Sequence, residues 1–294
     1  MFDRLYPYDW VTEAIDQTRG GWFYSLLVTS VLWMGRAPYK SILISGHVVD
    51  KYGQKMSKSK GNVVWAEDLF NKWGGADPTR LYLLTKSAPW DTMSVDPDEI
   101  AEARSVLSIL WNVIKFADTY MTLDRFDPAV HRLEGLIDKG LIEDRWLLSR
   151  FNSRLRRFID YMNNMELHMA AREWVSLVVD DLSHGYIRLI RRRVWTEESR
   201  EDKYAAYAVL YHVIKGGALI MGSALVPHIT EYLWNAFVRR LEKNEAESVH
   251  LTLLPQVNEK HVDEKLEKAF DLLFAMFSDI AEMRNRIKVK LRCR

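Results

Sequence analysis

The sequence predicts an α/β region that is followed by a mainly α-helical bundle. Within the first hundred residues, short apolar runs alternate with helical segments, as they do in a parallel sheet covered by helices. From residue 96 onward, apolar residues recur every three to four positions, which is the repeat of an amphipathic helix. Only 14 glycines and 8 prolines occur in 294 residues, and this low content favours helices over a turn-rich β-sandwich.

The α/β region is predicted to contain two strands and an apolar helix between them. Residues 10–12 and 41–45 form the predicted strands, and residues 20–33 carry an apolar run long enough for a helix. The continuous apolar character of 41–45 is typical of a strand that is buried on both faces of a parallel sheet. A polar loop rich in Gly, Ser and Lys covers 50–62, and two short helices follow it.

Two helix starts are marked by Asp-Pro pairs. Asp77 is the predicted N-cap of a helix over 79–86, because Pro78 suits the first helical position. Asp96 is the predicted N-cap of the next helix, and Glu99 is placed to reach back to it as in a capping box.

The rest of the chain is predicted to form long helices with one apolar stripe each. Helices over about 166–195 and 202–241 complete the expected bundle. The apolar run at 204–230 is interpreted as buried helix rather than a membrane span, because Lys215 lies in its middle. The residues expected to face the core are Val106, Leu110, Val113 or Ile114, and Ala117; Leu148, Phe151, Leu155, Phe158 and Met162; and Ala171, Trp174, Val178, Leu182 and Leu189.

Composition and charge exclude several classes of protein. Lys plus Arg number 41 and Asp plus Glu number 40, so a nucleic-acid surface has to come from local clustering rather than from net charge. The single cysteine, Cys293, excludes an internal disulfide framework and a cysteine-based zinc or iron–sulfur site, and it fits a reducing compartment. The first five residues carry charges where a signal peptide needs an apolar run, and we expect a cytoplasmic protein.

The polar loop carries the sequence Lys-Met-Ser-Lys-Ser at 55–59, between Gly53 and Gly61. Lysines and serines on a mobile backbone suit a polyphosphate, whose oxygens need several donors and whose charge needs neutralising. Most lysine-rich loops are only solvated surface. This loop, however, resembles the signature loop of class I aminoacyl-tRNA synthetases, and a chance match to five given residues in this chain is on the order of 10⁻⁴.

A second segment narrows the resemblance to one family within this class. Residues 13–23, Glu-Ala-Ile-Asp-Gln-Thr-Arg-Gly-Gly-Trp-Phe, resemble a segment of the isoleucyl-tRNA synthetases. Residues 76–82, 109–112 and 284–290 are similar to later parts of the same family, so the resemblance covers essentially the whole chain. It is closest to the archaeal and eukaryotic branch of the family, and it implies a partial Rossmann-like half followed by an anticodon-binding helical bundle.

The activity that this resemblance implies is ATP-dependent activation of isoleucine and transfer of isoleucine to tRNA(Ile). Mg²⁺ is expected to accompany ATP, and no protein-bound zinc is expected in this part of the enzyme. The resemblance assigns the catalytic phosphate contacts to Lys58, with Lys55 assisting, and adds Ser57 and Ser59 to the ATP-binding loop.

The same resemblance assigns aminoacyl-adenylate binding to Glu13, Asp16, Gln17 and Trp22. An indole such as Trp22 can wall an apolar side-chain pocket, and Asp16 and Gln17 can bind an ammonium group and an amide-like or ribose partner. The alternative is that Asp16 only caps the following helix and that Trp22 packs in the core. A second glycine before Trp22 departs from the family pattern, and it would rotate Trp22 by about 100° unless the helix start absorbs it.

The family's His-x-Gly-His motif is missing, because none of the eight histidines stands in that arrangement. We therefore expect a fragment that lacks the N-terminal half of the catalytic fold and is inactive alone. The expected divisions are a catalytic half with the stem at 1–95, an anticodon-binding bundle at 96–258 and the start of a truncated C-terminal extension at 259–294. A non-catalytic tRNA-binding module and a valine, leucine or methionine sister enzyme are the alternatives.

Two arginine clusters are the predicted tRNA contacts of the bundle. One helical face carries three arginines without an acidic residue between 145 and 158, and a second cluster ends at Trp195. Either cluster could bind phosphate or stack on an unpaired base; the alternative is an arginine face paired with nearby acids. The predicted contacts are Arg150, Arg154 and Arg157, and Arg188, Arg191 and Arg192.

Overall fold

The computed structural model describes residues 2–196 and 201–286, which form two compact units. The first unit runs to Ser105 and includes Ile159–Arg172, and the second comprises Val106–Phe158 and the residues from Glu173 onward. Cys293 lies outside the described residues, as does most of the family-like segment at 284–290.

The first unit contains four short strands and four helices among its described residues before Pro97. The helices are α1 (Phe2–Leu5), α2 (Trp22–Met34), α3 (Ala66–Lys72) and α4 (Ala76–Lys86), and the strands are β1 (Tyr8–Ala14), β2 (Tyr39–Ser45), β3 (Val48–Asp50) and β4 (Met93–Val95). β1 pairs with β2 in parallel, with Glu13 opposite Ile44, and β3 pairs with β4 in parallel. Both predicted strands are confirmed.

The prediction that the second strand is buried on both faces is wrong. Leu43 is the buried residue of β2, while the other residues of the strand are half-buried or exposed. A parallel strand is buried on both faces when helices cover both sides of the sheet, whereas β2, in a sheet of two strands among the described residues, stays largely accessible to solvent.

Of the two predicted helix caps, one is confirmed and one is wrong. α4 begins at Ala76 because Gly75, with φ of +99°, is its N-cap, so Asp77 and Pro78 lie inside the first turn. Asp96 does cap the turn that leads into the helix Ile100–Leu123: its Oδ1 accepts a hydrogen bond from the Asp98 backbone N–H at 3.2 Å.

The capping box predicted for Glu99 is wrong. The Glu99 carboxylate pairs with Lys86 instead, and the Asp96 backbone N–H donates to the Tyr82 hydroxyl at 3.0 Å. An ion pair with a lysine from α4 has replaced the local contact that the sequence suggested.

The second unit is mainly helical, as the sequence predicts, and its α-helices range from three to 24 residues in length. They are α5 (Ile100–Leu123), α6 (Leu133–Leu136), α7 (Ile142–Asn163), α8 (Leu167–Ser176), α9 (Arg188–Trp195), α10 (Glu201–Val213), α11 (Pro227–Leu233), α12 (Arg239–Leu241) and α13 (Glu264–Arg286); α5, α7 and α8 begin or end in the first unit. Three fully buried tryptophans, Trp146, Trp174 and Trp234, lie in the core.

The predicted core stripes are mostly buried, but Val106 and Met162 are only half-buried, and Leu189 is an informative exception. Ala171, Trp174, Val178 and Leu182 are buried, but Leu189 is half-exposed and Ile190 is buried in its place. The chain between α8 and α9 is a π-helix over Leu177–Ile187. Because a π turn contains more residues than an α turn, the apolar stripe shifts by one position after it.

The apolar run around Lys215 lies inside this unit. The stretch Glu201–Met221 is long and apolar enough to cross a membrane, yet 78% of its most apolar window is buried among the other helices. Lys215 is paired with Glu242 and Glu245, each at 2.5 Å, which compensates for placing its charge in an apolar helix.

Candidate functional site

The carboxyl ends of β1 and β2 lie side by side, and this is the edge at which open α/β sheets bind ligands. Glu13 stands next to the end of β1 and is only 8% exposed. Its Oε2 atom accepts no hydrogen bond from any described residue. A buried carboxylate oxygen without a donor is costly, so Glu13 is suited to receive a cationic or N–H donor.

Gly46 fixes the way in which the chain leaves β2. Its backbone N–H donates to Pro89 O at 2.8 Å, and a Cβ atom at this position would lie 2.1 Å from Asp91 O. No side chain fits there, so a glycine is required directly after the strand. The adjacent His47 is exposed.

Asp50 and Asn62 hold the two ends of the signature loop together. Asp50 Oδ1 accepts hydrogen bonds from the backbone N–H groups of Tyr52 (3.0 Å) and Gln54 (2.8 Å). Asn62 Nδ2 donates to Asp50 Oδ2 at 2.8 Å, and Asn62 Oδ1 accepts from the Ser57 N–H at 2.9 Å. The hydrogen bond from Asn62, together with those from the backbone, holds the pKa of Asp50 below its usual range.

The lysines of the loop are exposed on this fixed backbone. Lys55 and Lys58 both point into solvent, and Lys58 Nζ lies 5.4 Å from the centre of the Trp65 ring. The hydroxyls of Ser57 and Ser59 lie 2.8 Å apart. The loop therefore presents cationic and hydroxyl donors on one short turn, an arrangement that fits a polyphosphate.

The sequence analysis did not single out Asp50 and Asn62 as site residues. A cleft of about 330 Å³ is lined by these two residues, by Gly61 and by Trp73. The signal that could have found them is a carboxylate and an amide flanking glycines with positive φ, Gly53 at +75° and Gly61 at +68°.

The adenylate residues predicted after Glu13 lie on an exposed turn. Asp16 and Gln17 belong to a short 3₁₀ turn, Ile15–Gln17, and are exposed. The alternative roles are wrong: α2 is capped by Gly21 without a side-chain bond, so Asp16 does not cap it, and Trp22 is 64% exposed rather than part of the core. Both glycines precede α2, so the helix start absorbs the additional residue.

The first arginine cluster is paired within the second unit. Arg154 donates to Glu173 at 2.9 Å and binds Asp181, while Arg157 donates to Glu173 through two bonds of 2.9 Å. Arg150 contacts Asp181, Glu267 and Asp271. These three arginines thus match the paired alternative, and their binding to tRNA stays a prediction.

The second arginine cluster is exposed. Arg188, Arg191 and Arg192 are exposed on α9; the Arg191 guanidinium lies 5.5 Å from the Trp195 ring centre, and that of Arg188 lies 5.6 Å from the Phe277 ring centre. Their sequence neighbour Arg193 instead binds acids inside the bundle. Exposed guanidinium groups beside aromatic rings are suited to phosphate and unpaired bases.

Two family models match this chain. A model described as the anticodon-binding domain of tRNA ligase matches residues 144–293, about half of the chain, and one described as tRNA synthetases class I (I, L, M and V) matches residues 1–96. The chain belongs to the class I tRNA synthetase family. Its order of an α/β region and then a helical bundle, predicted from the sequence, is confirmed.

Individual relatives of this synthetase chain are isoleucine–tRNA ligases from archaea. The chain is 58% identical over 292 residues to one from Pyrobaculum aerophilum and 42% identical over 292 residues to one from Methanosarcina barkeri. These alignments cover 99% of the chain but only 29% and 27% of the relatives, so the chain spans less than a third of their length.

A solved structure shares the fold of this synthetase chain. It is the LeuRS component of a LeuRS–tRNA–LeuAMS ternary complex from Agrobacterium radiobacter K84, with a TM-score of 0.63 and 19% sequence identity. The match covers 87% of this chain and 29% of the solved one.

Proposed function

We propose that this chain is part of an isoleucine–tRNA ligase and contributes the signature loop and the anticodon-binding bundle. The observation that carries the proposal is the identity of 58% and 42% to isoleucine–tRNA ligases along almost the whole chain. The exposed lysines on a fixed loop beside the end of a parallel sheet support it.

In this reaction the carboxylate of isoleucine attacks the α-phosphate of ATP in line, and pyrophosphate leaves. Positioning and charge stabilisation dominate such a step, because the protein need supply little covalent chemistry. Lys58 is the proposed contact to the phosphates as charge develops on the leaving group, and Lys55 assists it. Ser57 and Ser59 add hydroxyl donors on the same turn.

Glu13 is the proposed partner of the aminoacyl-adenylate, through its ammonium group or its ribose. The buried Oε2 atom of Glu13, which lacks a donor among the described residues, supports this role. Asp16 and Gln17 follow on the adjacent turn, and Trp22 is the proposed wall of the apolar pocket for the isoleucine side chain.

Mg²⁺ is proposed to arrive with ATP. Among the described residues no group of three or more His, Cys, Asp or Glu side chains could hold a metal ion. The donors of the loop are lysines and serines, which bind phosphate oxygens rather than a cation. The contacts to ATP and to the aminoacyl-adenylate are therefore assigned to side chains of this chain.

tRNA(Ile) is the proposed macromolecular partner and is bound by the helical bundle. The exposed Arg188, Arg191 and Arg192 are the stronger candidates for contact, and Arg150, Arg154 and Arg157 the weaker, because the structure pairs the latter with acids. The proposed division remains a catalytic half at 1–95, a bundle at 96–258 and an extension at 259–294, in a cytoplasmic enzyme.

The experiment that tests this function joins the chain to the upstream part of the Pyrobaculum aerophilum ligase. Exchange of pyrophosphate into ATP is then measured with each amino acid in turn. We expect exchange that depends on isoleucine, and no exchange from the chain alone. Preference for valine, leucine or methionine would assign a sister enzyme, and tRNA binding without any exchange would assign a non-catalytic module.

A further inference from the structure

Asn62 makes contacts on both sides of the signature loop through a single amide group. Its Nδ2 donates to Asp50 Oδ2 at 2.8 Å and to Lys55 O at 3.3 Å, while its Oδ1 accepts from the Ser57 N–H at 2.9 Å. One side chain therefore joins the base of the loop to the backbone on which Lys55 and Ser57 are carried.

Asp50 completes the arrangement from the other end. It is only 8% exposed, and its Oδ1 accepts the N–H groups of Tyr52 and Gln54. Its own backbone N–H donates to Gln54 O at 2.9 Å, and its carbonyl accepts from the Gly53 N–H at 2.9 Å. Four hydrogen bonds thus hold the turn over 50–54, and the second carboxylate oxygen of Asp50 accepts from Asn62.

The lysine side chains take no part in these bonds. Lys55 and Lys58 are exposed, and the contacts of the loop run through backbone groups and through Asp50 and Asn62. The hydrogen bonds that hold the backbone of the loop are therefore made without the lysine side chains that would touch phosphate, which is a property of a preorganised site.

We propose that Asp50 and Asn62 are positioning residues that form a clasp and hold the signature loop in the shape in which Lys58 meets the phosphates. The inference rests on the proposed function, because it concerns the same ATP site. Neither residue touches the substrate. Their effect is to keep Lys55 and Lys58 on a fixed turn, so losing the clasp lowers the rate of the chemical step more than it weakens isoleucine binding.

The clasp can be tested by exchanging its two partners. In Asn62→Asp, the carboxylates at positions 50 and 62 face each other and repel. In Asp50→Asn, the amide NH2 group introduced at position 50 faces the Nδ2 group of Asn62, so two donors meet and neither has an acceptor. In the double variant Asp50→Asn, Asn62→Asp, the new amide still accepts from Tyr52 and Gln54 and donates to the new carboxylate, which accepts from Ser57. Only the 3.3 Å bond to Lys55 is lost.

The first measurement uses the chain alone and needs no activity. Trypsin cuts after the exposed lysines of the loop, and mass spectrometry compares that cutting with cutting after Lys72 in α3. We expect each single variant, and Asn62→Ala, to raise cutting in the loop about tenfold, the effect of losing one charge-assisted hydrogen bond. The double variant should return it to within about threefold of the unchanged chain.

The second measurement uses the joined enzyme and isoleucine-dependent exchange. We expect kcat to fall about tenfold or more in the single variants, with an unchanged KM for isoleucine, and to recover in the double variant.

Unfolding monitored by circular dichroism identifies any variant that merely fails to fold, and the double variant then decides. The clasp would be overturned if the single variants left trypsin cutting and kcat unchanged. It would also be overturned if the double variant were as impaired as the single variants. Absence of exchange in the unsubstituted enzyme would instead overturn the proposed function, and the trypsin result would still decide the clasp.

Discussion

Replacing Arg154 with Ala should destabilise the helical bundle strongly, whereas replacing Arg157 should not. Arg154 is 13% exposed and connects Glu173 on α8 to Asp181 in the following π-helix. Asp181 is 5% exposed and Glu173 is 15% exposed, so all three charges are largely removed from water. Arg157 is 40% exposed, and the acid that it binds among the described residues is Glu173.

The expected magnitudes follow from what each change leaves behind. Without Arg154, the cation left beside Asp181 among the described residues is Arg150, whose Nε lies 3.7 Å away, so a buried carboxylate loses its hydrogen-bonded partner. Breaking a buried pair from one side costs about 3–5 kcal/mol. Without Arg157, Glu173 keeps Arg154, and an ion pair with one partly exposed member is worth about 0.2–1 kcal/mol.

Hydrogen exchange of the buried amides of α7, read by mass spectrometry, measures both free energies within this unit. We expect Arg154→Ala to lower the free energy of opening by at least about 3 kcal/mol and Arg157→Ala by less than about 1 kcal/mol. A loss below about 1 kcal/mol in Arg154→Ala, or equal losses in both variants, would refute the assignment of Arg154 as a structural arginine.

Arg154→Ala and Arg157→Ala also distinguish a structural role of each arginine from a role in tRNA binding. If Arg157 contacts a phosphate, Arg157→Ala weakens tRNA binding and lowers its salt dependence while α7 keeps its protection. For Arg154→Ala, any loss of tRNA binding should follow the loss of helix protection, because its side chain is occupied within the bundle.

Three further outcomes are expected. Gly21→Ala should cost about 1–3 kcal/mol in urea unfolding, because a Cβ atom there would lie 2.8 Å from the backbone oxygen of Gln17, which cannot move aside as a side chain can. Gly20→Ala is the control, because a Cβ atom there would meet no atom within 4 Å, and equal losses in the two variants would contradict this reasoning. In the joined enzyme, Lys58→Ala should lower kcat for exchange about 10²–10³-fold, and an active Lys58→Ala enzyme would exclude the phosphate role. Lys72→Ala should leave kcat unchanged, because the exposed Lys72 side chain pairs with Asp68 of its own helix. Burial alone would raise the pKa of Glu173, but hydrogen bonds and charges from its arginine partners hold that pKa below its usual range. The bundle should therefore lose stability as pH falls from the ordinary glutamate pKa of about 4.3 through the lower pKa of Glu173 in the folded protein. Glu173→Gln should flatten this part of the curve of unfolding free energy against pH, and an unchanged slope would contradict it.

Helical periodicity was sufficient to predict the bundle because its core residues follow one repeat along each helix. Leu110, Leu155 and Trp174 are fully or almost fully buried, as their spacing predicts. The prediction failed at Leu189, where a π-helix changes the repeat. It failed again at the start of α4, because Gly75, with its positive φ, is the N-cap and the helix begins at Ala76, one residue before Asp77. Neither a π turn nor a glycine cap changes the apolar pattern enough to be visible in it.

The charged residues divide according to how far away their partners lie in the sequence. The clasp of the signature loop joins Asp50 to Asn62, 12 residues apart, and the loop between them could be interpreted locally. The partners of the α7 arginines lie much further along the chain: Arg154 binds Asp181, 27 residues away, and Arg150 binds Glu267, 117 residues away. A run without acids along α7 therefore looked like an open cationic face although other segments supply its acids.

The pairing of the α7 arginines with distant acids decides which cationic side chains remain available to bind ligands. Lys55 and Lys58 are exposed on a turn whose bonds are made by other groups, and Arg188, Arg191 and Arg192 are exposed on α9. An arginine that already neutralises a buried acid must break that pair to bind a phosphate, so its net gain from the new contact is small. Within the part of the chain that the structure describes, Lys55, Lys58 and the exposed α9 arginines pair with no acid, so they carry no such cost. Ligand binding by charge should therefore concentrate on these two surfaces, one in each unit.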